Sequence, residues 1–401
     1  MDIRKEFPFL INNPETIYFD AAATSLKPQR VIDRVVHYYT HLSSNVFRAD
    51  YDASIETSDL FEAVRHKTKE FLNVNTNEII FTSGASESLN LVALGFASQI
   101  LKEDDVILVN EAEHASNILP WFKIAEQTNS YVEYIPIHNG HLDLVALEDM
   151  MKQGVKIVSI AHVSNVLGII NDIKEIARIV HKYDAYIVVD GAQAIGHFPI
   201  DVKDLDVDFY AYSAHKMFGP TGVGVLYGKY ENLEKMRPVQ YGGGSNARFN
   251  NCGEISLKGI PERFESGTPN IEGVLGYGAA IDFVNEVGLE KLHEHEHELV
   301  VYLLEKLKKL DNIIIYNEFS EVGLVTFNVK GIFAQDVAAY LNTFKICVRS
   351  GSHCSKLMAN MTDEENTVRL SLSIYNTKAE IDKFIDVIEN ITLEKTIDIY
   401  L

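Results

Sequence analysis

Short apolar segments alternate with longer amphipathic segments from about residue 78 to residue 227. Short apolar runs are typical of buried strands, and apolar positions three or four residues apart indicate helices. This pattern predicts strands at residues 79–82, 106–109, 131–135, 157–161, 185–189, 207–212 and 224–227, and helices at residues 86–97, 115–127 and 173–183. Such alternation predicts an α/β fold whose sheet is mostly parallel and covered by helices on both faces.

The last third of the chain has a different pattern. A loop-rich segment at residues 241–269 precedes a long helical pattern at residues 271–309, and strand-like segments follow at residues 325–329, 346–349 and 368–373. Because 401 residues exceed what one hydrophobic core usually serves, we expect two domains. The boundary is predicted near Asn285, between a large domain at residues 16–284 and a smaller α+β domain at residues 285–401. Residues 1–15 are expected to pack with the smaller domain.

Composition excludes several classes of function. The chain has 36 basic and 57 acidic residues, and a net charge of -21 repels nucleic acid and anionic membranes. No apolar run is long enough to cross a bilayer, and the first residues lack the apolar core of a signal peptide. Cys252, Cys347 and Cys354 form no C-x-x-C pair, which argues against disulfides and structural metal sites. We expect a cytoplasmic protein without a metal centre.

Two predicted strands end in residues that can carry chemistry. Asp190 and Gln193 follow one strand, and Ser213, His215 and Lys216 follow the next. A lysine can form a Schiff base with an aldehyde cofactor, and a carboxylate can keep a pyridine nitrogen protonated. The alternative is that Asp190 and Lys216 merely end two strands. Their combination with Gln193 and His215 instead favours a site for pyridoxal phosphate (PLP).

A candidate phosphate site follows the first predicted strand. Gly84, Ala85 and Ser86 lie where a turn leads into a helix, and free N–H groups at such a position attract anions. An ordinary helix cap explains the same residues, but Ser213 and His215 add further donors. Gly222-Val-Gly224 resembles a dinucleotide-binding fingerprint, yet it precedes a strand instead of following one, which excludes that interpretation.

The chain resembles fold-type I PLP enzymes of aminotransferase class V, and among them the cysteine desulfurases of the Suf type. The resemblance spans nearly the whole chain, with order and spacing preserved. It is carried by residues 18–23, 45–48, 82–87, 113–121, 163–168, 189–193, 213–216, 219–222, 263–270, 349–354 and 368–369. It implies a mostly parallel, seven-stranded sheet in the large domain.

The resemblance also implies roles for individual residues. Lys216 would form the Schiff base, Asp190 would pair with the pyridinium nitrogen, and Gln193 would bond the ring oxygen. His114 would stack on the cofactor ring and take part in proton transfer. The phosphate would be bound by Ala85, Ser86, Ser213 and His215, together with Thr268 from a neighbouring subunit. The substrate carboxylate would be bound by Asn165 and Arg369. Arg48 of the neighbour would border the site, so a homodimer is expected. An arginine fork suits a carboxylate.

Cys354 decides which reaction the resemblance implies. It lies in a Gly- and Ser-rich stretch whose composition predicts a mobile, exposed loop, and Arg349 and His353 would favour its thiolate. Cys354 would attack the sulfur of L-cysteine, keep it as a persulfide, release alanine and pass the sulfur to an acceptor protein of iron–sulfur cluster assembly. An incidental cysteine is the alternative. Cys252 is expected at the surface and Cys347 in the core.

The chain departs from the Suf-type pattern at two places. It has Arg349-Ser-Gly-Ser-His-Cys354 where Arg-Thr-Gly-His-His-Cys is usual. It also has Gln335-Asp336 where members with zinc-bearing acceptors often have a histidine before the aspartate. These differences concern the acceptor and the loop, not the nucleophile. A selenocysteine lyase, another class V enzyme that does not use Cys354, and a non-catalytic scaffold with this fold stay open as alternatives.

Overall fold

The computed structural model describes residues 3–138 and 140–400, apart from the side chains of Met358 and Met361, so residues 1, 2, 139 and 401 lie outside it. Its strands, in chain order, are β1 (Ile17–Tyr18), β2 (Ile79–Thr82), β3 (Val106–Val109), β4 (Tyr131–Tyr134), β5 (Ile137–His138), β6 (His141–Leu142), β7 (Val155–Ala161), β8 (Tyr186–Asp190), β9 (Phe209–Ser213), β10 (Gly224–Gly228), β11 (Asn246–Phe249), β12 (Ile255–Leu257), β13 (Ile313–Ile315), β14 (Leu324–Val329), β15 (Ile346–Cys347), β16 (Arg349–Gly351) and β17 (Thr367–Ser371).

The helices lie mainly between the strands of the large sheet and in the C-terminal part. They are α1 (Pro8–Asn12), α2 (Gln29–His37), α3 (Asp52–Leu72), α4 (Ala85–Leu91), α5 (Ser98–Ile100), α6 (Leu119–Thr128), α7 (Leu144–Met151), α8 (Ile173–His181), α9 (Val202–Leu205), α10 (Tyr230–Lys235), α11 (Ile271–Val287), α12 (Leu289–Leu307), α13 (Ala334–Thr343), α14 (Ala359–Thr362), α15 (Lys378–Glu389) and α16 (Leu393–Asp398). The helix predicted at residues 86–97 is present, but Val92–Ala97 forms a π-helical continuation of α4.

The large sheet confirms the predicted fold class. Its order is β2-β10-β9-β8-β7-β3-β4, and the pairs from β9 through β4 are parallel, whereas β10 runs antiparallel to both of its neighbours. The central strands are buried along their whole length, which explains why their sequences are continuously apolar. Hydrophobic clusters cover both faces of the sheet. Consequently the carboxyl ends of the parallel strands share one edge, where side chains such as Asp190 and Ser213 meet.

A second sheet lies in the C-terminal part of the chain. It is antiparallel with the order β13-β14-β17-β16, and it has its own apolar cluster with helices α12, α13 and α15. Arg349 and Arg369 are paired across β16 and β17. An isolated bridge joins Asp20 to Ser371, so the end of β17 pairs with the N-terminal segment that follows β1.

The long helix predicted at residues 271–309 is wrong in one respect, because it is two helices. Gly288 lies between α11 and α12 with a φ of 88°, a left-handed conformation that favours glycine, and this ends the first helix. The break lies close to Asn285, where the domain boundary is predicted. That boundary stays a prediction.

The described N-terminal residues contact both parts of the chain. Phe7 packs against Phe218 and Phe283, and also against Tyr375. Arg4 forms an ion pair with Glu380 at 2.9 Å. No helix in residues 3–138 and 140–400 is long and apolar enough to cross a membrane.

Candidate active site

A cavity of about 160 Å³ opens at the edge of the large sheet where the parallel strands end. The large sheet, the N-terminal segment and the C-terminal sheet all contribute to its wall. It is lined by Ala22, Ala23, Ala85, Ser86, His114, Ser116, Ala161, Val163, Asn165, Asp190, Ala192, Gln193, Ser213, His215, Lys216, Arg349, His353 and Arg369. The structure therefore brings together all the predicted site residues except Arg48, Thr268 and Cys354, and the neighbour of Cys354, His353, lines the wall.

Lys216 ends a short 3-10 helix, Ala214–Lys216, that directly follows β9. Burial lowers the pKa of its amine to about 8, and the positive charges of Arg369 and Arg349 act in the same direction, whereas Asp190 opposes them. A lysine with a lowered pKa is a better nucleophile near neutral pH, because more of it is uncharged.

The backbone around Lys216 is fixed by the N-terminal segment. The carbonyl of His215 accepts hydrogen bonds from Ser25 N and Ser25 Oγ, both at 3.0 Å, and from Lys27 Nζ at 3.3 Å. Ser25 Oγ in turn accepts from Phe218 N at 2.7 Å. One buried hydroxyl thus joins the residue before Lys216 to a residue after it. Local sequence patterns do not predict these hydrogen bonds, since the partners lie 190 and 193 residues apart.

Asp190 ends β8 and is buried. Its Oδ1 accepts from Ala192 N at 2.9 Å, and burial raises its pKa, although the charge of Lys216 opposes the shift. Gln193 is also buried, and its amide donates to the Ala22 carbonyl at 3.0 Å. Between them, the backbone of Gly191 packs closely against the ring of Tyr210. A Cβ at this position would come within 2.0 Å of that ring, so only glycine fits.

His114 lies in the wall with a defined tautomer. Its Nδ1 accepts from Ser116 N at 3.1 Å, so the neutral ring carries its proton on Nε2. Burial, together with the charges of Lys216, Arg349 and Arg369, lowers its pKa to about 4. The adjacent Glu113 is fixed by two hydrogen bonds, which it accepts from Asn117 Nδ2 at 2.8 Å and from Ala161 N at 2.9 Å.

The predicted phosphate site lies at the start of α4. Ser213 Oγ accepts from Ala85 N at 2.8 Å, and the hydroxyls of Ser86 and Ser116 are 2.6 Å apart. Gly224 permits this arrangement, because a Cβ there would come within 2.4 Å of Gly84 Cα. Gly224 therefore serves a close approach of β10 to this turn, whereas Gly222 has a left-handed φ of 73° and lies next to Asn270.

Buried polar atoms in this wall have no partner among the described residues. They include His215 Nδ1 and Arg369 Nε. Orphaned polar groups of this kind are costly unless a ligand or water satisfies them. An anionic ligand at the start of α4, with a second anionic group near Arg369, fits these donors.

Arg369 and Asn165 lie together on the opposite side of the cavity. Arg369 Nη1 donates to the Asn165 carbonyl at 2.9 Å, and Nη2 lies 3.4 Å from Asp20 Oδ1. Burial lowers the pKa of Arg369 to about 10, so the guanidinium is charged at neutral pH. A buried cation with an unpartnered N–H is suited to a carboxylate.

Cys354 follows β16 in an exposed position, as the composition predicted. Its Sγ lies 3.6 Å from Arg349 Nη2, and its carbonyl accepts from Ala115 N at 2.7 Å. The flanking residues are buried and hydrogen-bonded, so the thiol is exposed on a loop that is anchored on both sides.

Several expectations require correction. His353 does not offer a positive charge to the thiol, because its Nε2 lies 3.0 Å from Thr367 Oγ1 and burial lowers its pKa to about 3. Cys347 is half-buried, not a core residue, and Cys252 is exposed as predicted. Arg48 and Thr268 are exposed and lie outside this chain's cavity, with Arg48 donating to the Gly267 carbonyl at 2.9 Å, and their role in a neighbouring subunit's site stays a prediction.

Comparison with known proteins assigns this chain to a family. The family model described as aminotransferase class-V matches residues 17–384. A probable cysteine desulfurase of Halalkalibacterium halodurans is 43% identical over 386 residues, which covers 95% of each chain. The cysteine desulfurase of Wigglesworthia glossinidia brevipalpis is 38% identical over 390 residues, or 96% of this chain and 95% of the relative.

Solved structures give the same answer. The apo structure of a cysteine desulfurase from Thermococcus onnurineus NA1 superposes with a TM-score of 0.93 at 39% identity, covering 97% of this chain and 96% of that chain. A cysteine desulfurase of Escherichia coli superposes with a TM-score of 0.91 at 31% identity, covering 99% and 98%. The chain therefore belongs to the aminotransferase class-V family, and within it to the cysteine desulfurases.

Proposed function

We propose that this protein is a cytoplasmic, PLP-dependent enzyme that converts L-cysteine into L-alanine and keeps the sulfur as a persulfide on Cys354. The observation that carries the proposal is one cavity whose wall joins Lys216 and Asp190, at the strand ends, to the loop that bears Cys354. Names of the relatives support the reaction, since several are cysteine desulfurases.

The wall fits the cofactor. Ser86, Ser213 and the unpartnered Nδ1 of His215 would hold the phosphate beside Ala85, whose N–H donates to Ser213 Oγ. Asp190 Oδ2 would accept a hydrogen bond from the pyridinium N–H. Gln193 would reach the ring oxygen, and His114 would lie over the ring. When bound, PLP withdraws electrons from the Cα of an amino acid that is attached to its aldehyde carbon.

The residues on the other side of the cavity would bind the substrate. Arg369 Nε has no partner within the described chain and would donate to the carboxylate of L-cysteine together with the Asn165 amide. Lys216 Nζ would take the proton from Cα. Lys216 lines the same wall, and its lowered pKa leaves the amine partly uncharged at neutral pH.

Sulfur transfer then falls to Cys354. Arg349 borders the reacting sulfur, since its Nη2 lies 3.6 Å from Sγ. The thiolate forms an S–S bond with the substrate sulfur while the substrate's C–S bond breaks. The electron pair of that C–S bond stays with the substrate carbon, which takes up a proton. Lys216 would return the proton to Cα, which completes alanine and leaves the persulfide on the enzyme.

Exposure of Cys354 would let an acceptor protein collect this sulfur. The acceptor belongs to an iron–sulfur assembly system of the Suf type in this proposal. Gln335 lies where members with zinc-bearing acceptors often have a histidine. It donates to Asn366 at 3.3 Å and lies on α13 beside β16.

The test is reconstitution with PLP followed by assay of alanine from L-cysteine. We expect the wild type to release alanine and Cys354→Ser to bind PLP normally while releasing almost none, because a hydroxyl is a far weaker nucleophile. Undiminished alanine release by Cys354→Ser would refute the role of the thiol. Cys252→Ser, which alters an exposed cysteine elsewhere, is the matched control.

A further inference from the structure

The side chain of Asn165 contacts the nucleophile loop on both sides of Cys354. Its Nδ2 donates to the His353 carbonyl at 2.9 Å, and its Oδ1 accepts from Ser355 Oγ at 3.0 Å. Asn165, His353 and Ser355 are 4%, 3% and 2% exposed, so these contacts are shielded from water. Such buried contacts hold a loop more firmly than exposed ones.

The backbone of the loop that contains Cys354 has an unfavourable conformation that depends on surrounding contacts. His353 and Cys354 have φ values of 52° and 61°, so two consecutive non-glycine residues adopt the left-handed conformation. Residues in that region persist only where the surrounding contacts fix them. Here the contacts include the Asn165 amide, the Ser355 hydroxyl and the bond from Ala115 N to the Cys354 carbonyl at 2.7 Å, besides the bond between His353 Nε2 and Thr367.

Hydrogen-bonding roles also fix which way the amide faces. The His353 carbonyl can only accept, so it takes an N–H of Asn165 Nδ2, and the Ser355 hydroxyl donates to Oδ1. Nδ2 has a second N–H, which donates to no other residue of the described chain and could donate to a ligand in the cavity that Asn165 lines. The arrangement presents a donor to the cavity and holds the loop with the same side chain.

We propose that Ser355 is a positioning residue: with Asn165 it forms a clasp that fixes the Cys354 loop and keeps the Asn165 amide directed as a donor into the cavity. The clasp couples the place where the substrate carboxylate binds to the place of the nucleophile. Its substrate-binding part rests on the proposed function, whereas its effect on the loop does not.

Hydrogen–deuterium exchange of the PLP-loaded enzyme tests the clasp without an activity assay. Ser355→Ala should speed exchange in the peptide that contains Cys354 and in the peptide that contains Ala115, by about fivefold, as expected for losing one buried hydrogen bond. Ala115 reports on the loop from the opposite wall, since its N–H is bonded to the Cys354 carbonyl.

Ser352→Ala is the matched control, because Ser352 lies in the same loop and its hydroxyl has no partner within residues 3–138 and 140–400. It should leave both exchange rates unchanged. Equal exchange in Ser355→Ala and Ser352→Ala would overturn the proposal. Asn165→Ala tests the clasp from its other side, and the double variant should exchange no faster than Asn165→Ala alone, since the two residues act as one unit. Additive effects would contradict the clasp.

Binding of L-alanine, followed by the cofactor's absorbance, tests the link to the substrate. We expect Ser355→Ala to bind L-alanine several-fold more weakly than Ser352→Ala does, and unchanged affinity would contradict the orienting role. If the wild type itself shows no response to any amino acid, the proposed function fails, while the exchange result still decides the clasp.

Discussion

Burial and neighbouring charge determine the protonation of the side chains around the cavity. The pKa of Lys216 is lowered to about 8, and the pKa of His114 to about 4, in both cases mainly by burial. At neutral pH the lysine is therefore partly uncharged and the histidine wholly so. His114 then offers an uncharged ring and an N–H at Nε2, whereas Lys216 offers a nucleophilic amine.

This state of Lys216 predicts how the apoprotein takes up PLP as the pH changes. Only the uncharged amine attacks an aldehyde, so the uptake rate should rise with pH and level off above about 8, the lowered pKa. Stopped-flow absorbance of apoprotein mixed with PLP measures the rate. A rate that keeps rising towards 10.5, the ordinary lysine value, would contradict the lowered pKa. Lys216→Ala should show no covalent uptake.

At this scale the sequence predicted the residues that end strands, but not the residues that hold them. Asp190 and Lys216 could be identified because each lies at the end of a buried strand and because they occur together with Gln193 and His215. Ser25 and Ser355 could not, because each acts through a partner about 190 residues away, and serines are common in loops. Contacts over such separations depend on the tertiary fold, which local patterns do not encode.

At the scale of elements, the cavity depends on how β10 meets the turn before α4. Gly224 begins β10 and pairs with both Thr82 and Ser213, the ends of its two neighbours. A strand pattern predicted β10 but not its antiparallel direction, since direction depends on the connections. The split of α11 and α12 at Gly288 was not predicted, because a glycine within a helical pattern does not by itself mark a break. Gly273, Gly276 and Gly278 all lie inside α11 without interrupting it.

The close approach at Gly224 gives a prediction. In Gly224→Ala, the new Cβ would lie 2.4 Å from Gly84 Cα, and backbone cannot yield as a side-chain end can. The turn that precedes Ala85 must shift, so PLP affinity should fall by about tenfold or more, in line with the cost of overpacking. Equilibrium titration of apoprotein with PLP measures the affinity.

Gly259→Ala is the matched control for this substitution, since no atom lies within 4 Å of a Cβ there. It should bind PLP like the wild type. Normal PLP affinity in Gly224→Ala would mean that the turn is not the phosphate site.

At the scale of the whole molecule, one chain supplies most of a site. The large sheet, the N-terminal segment and the C-terminal sheet meet at the cavity, whereas Arg48 and Thr268 lie outside it. The family resemblance implies that a second copy supplies these two residues. The sequence predicted the fold and the cavity residues of one chain, but an assembly depends on surface complementarity that a single chain's pattern does not reveal.

Complementation tests this composite site. Lys216→Ala and Arg48→Glu should each be nearly inactive, yet co-expression should restore about a quarter of wild-type activity, because half of randomly paired dimers contain one intact site. Lys216→Ala co-expressed with Cys354→Ser should recover nothing, since those two residues serve the same chain's cavity. An active monomer, or no recovery with the first pair, would contradict the shared site.

The central claim is that Cys354 carries the sulfur, and mass spectrometry of the PLP-loaded enzyme after incubation with L-cysteine tests it most directly. We expect the peptide that contains Cys354 to gain the mass of one sulfur atom, and the peptides that contain Cys252 and Cys347 to gain none. In Cys354→Ser, no peptide should gain this mass. Added sulfur on Cys252 or Cys347 with full release of alanine, or alanine release with no persulfide on any cysteine, would contradict it.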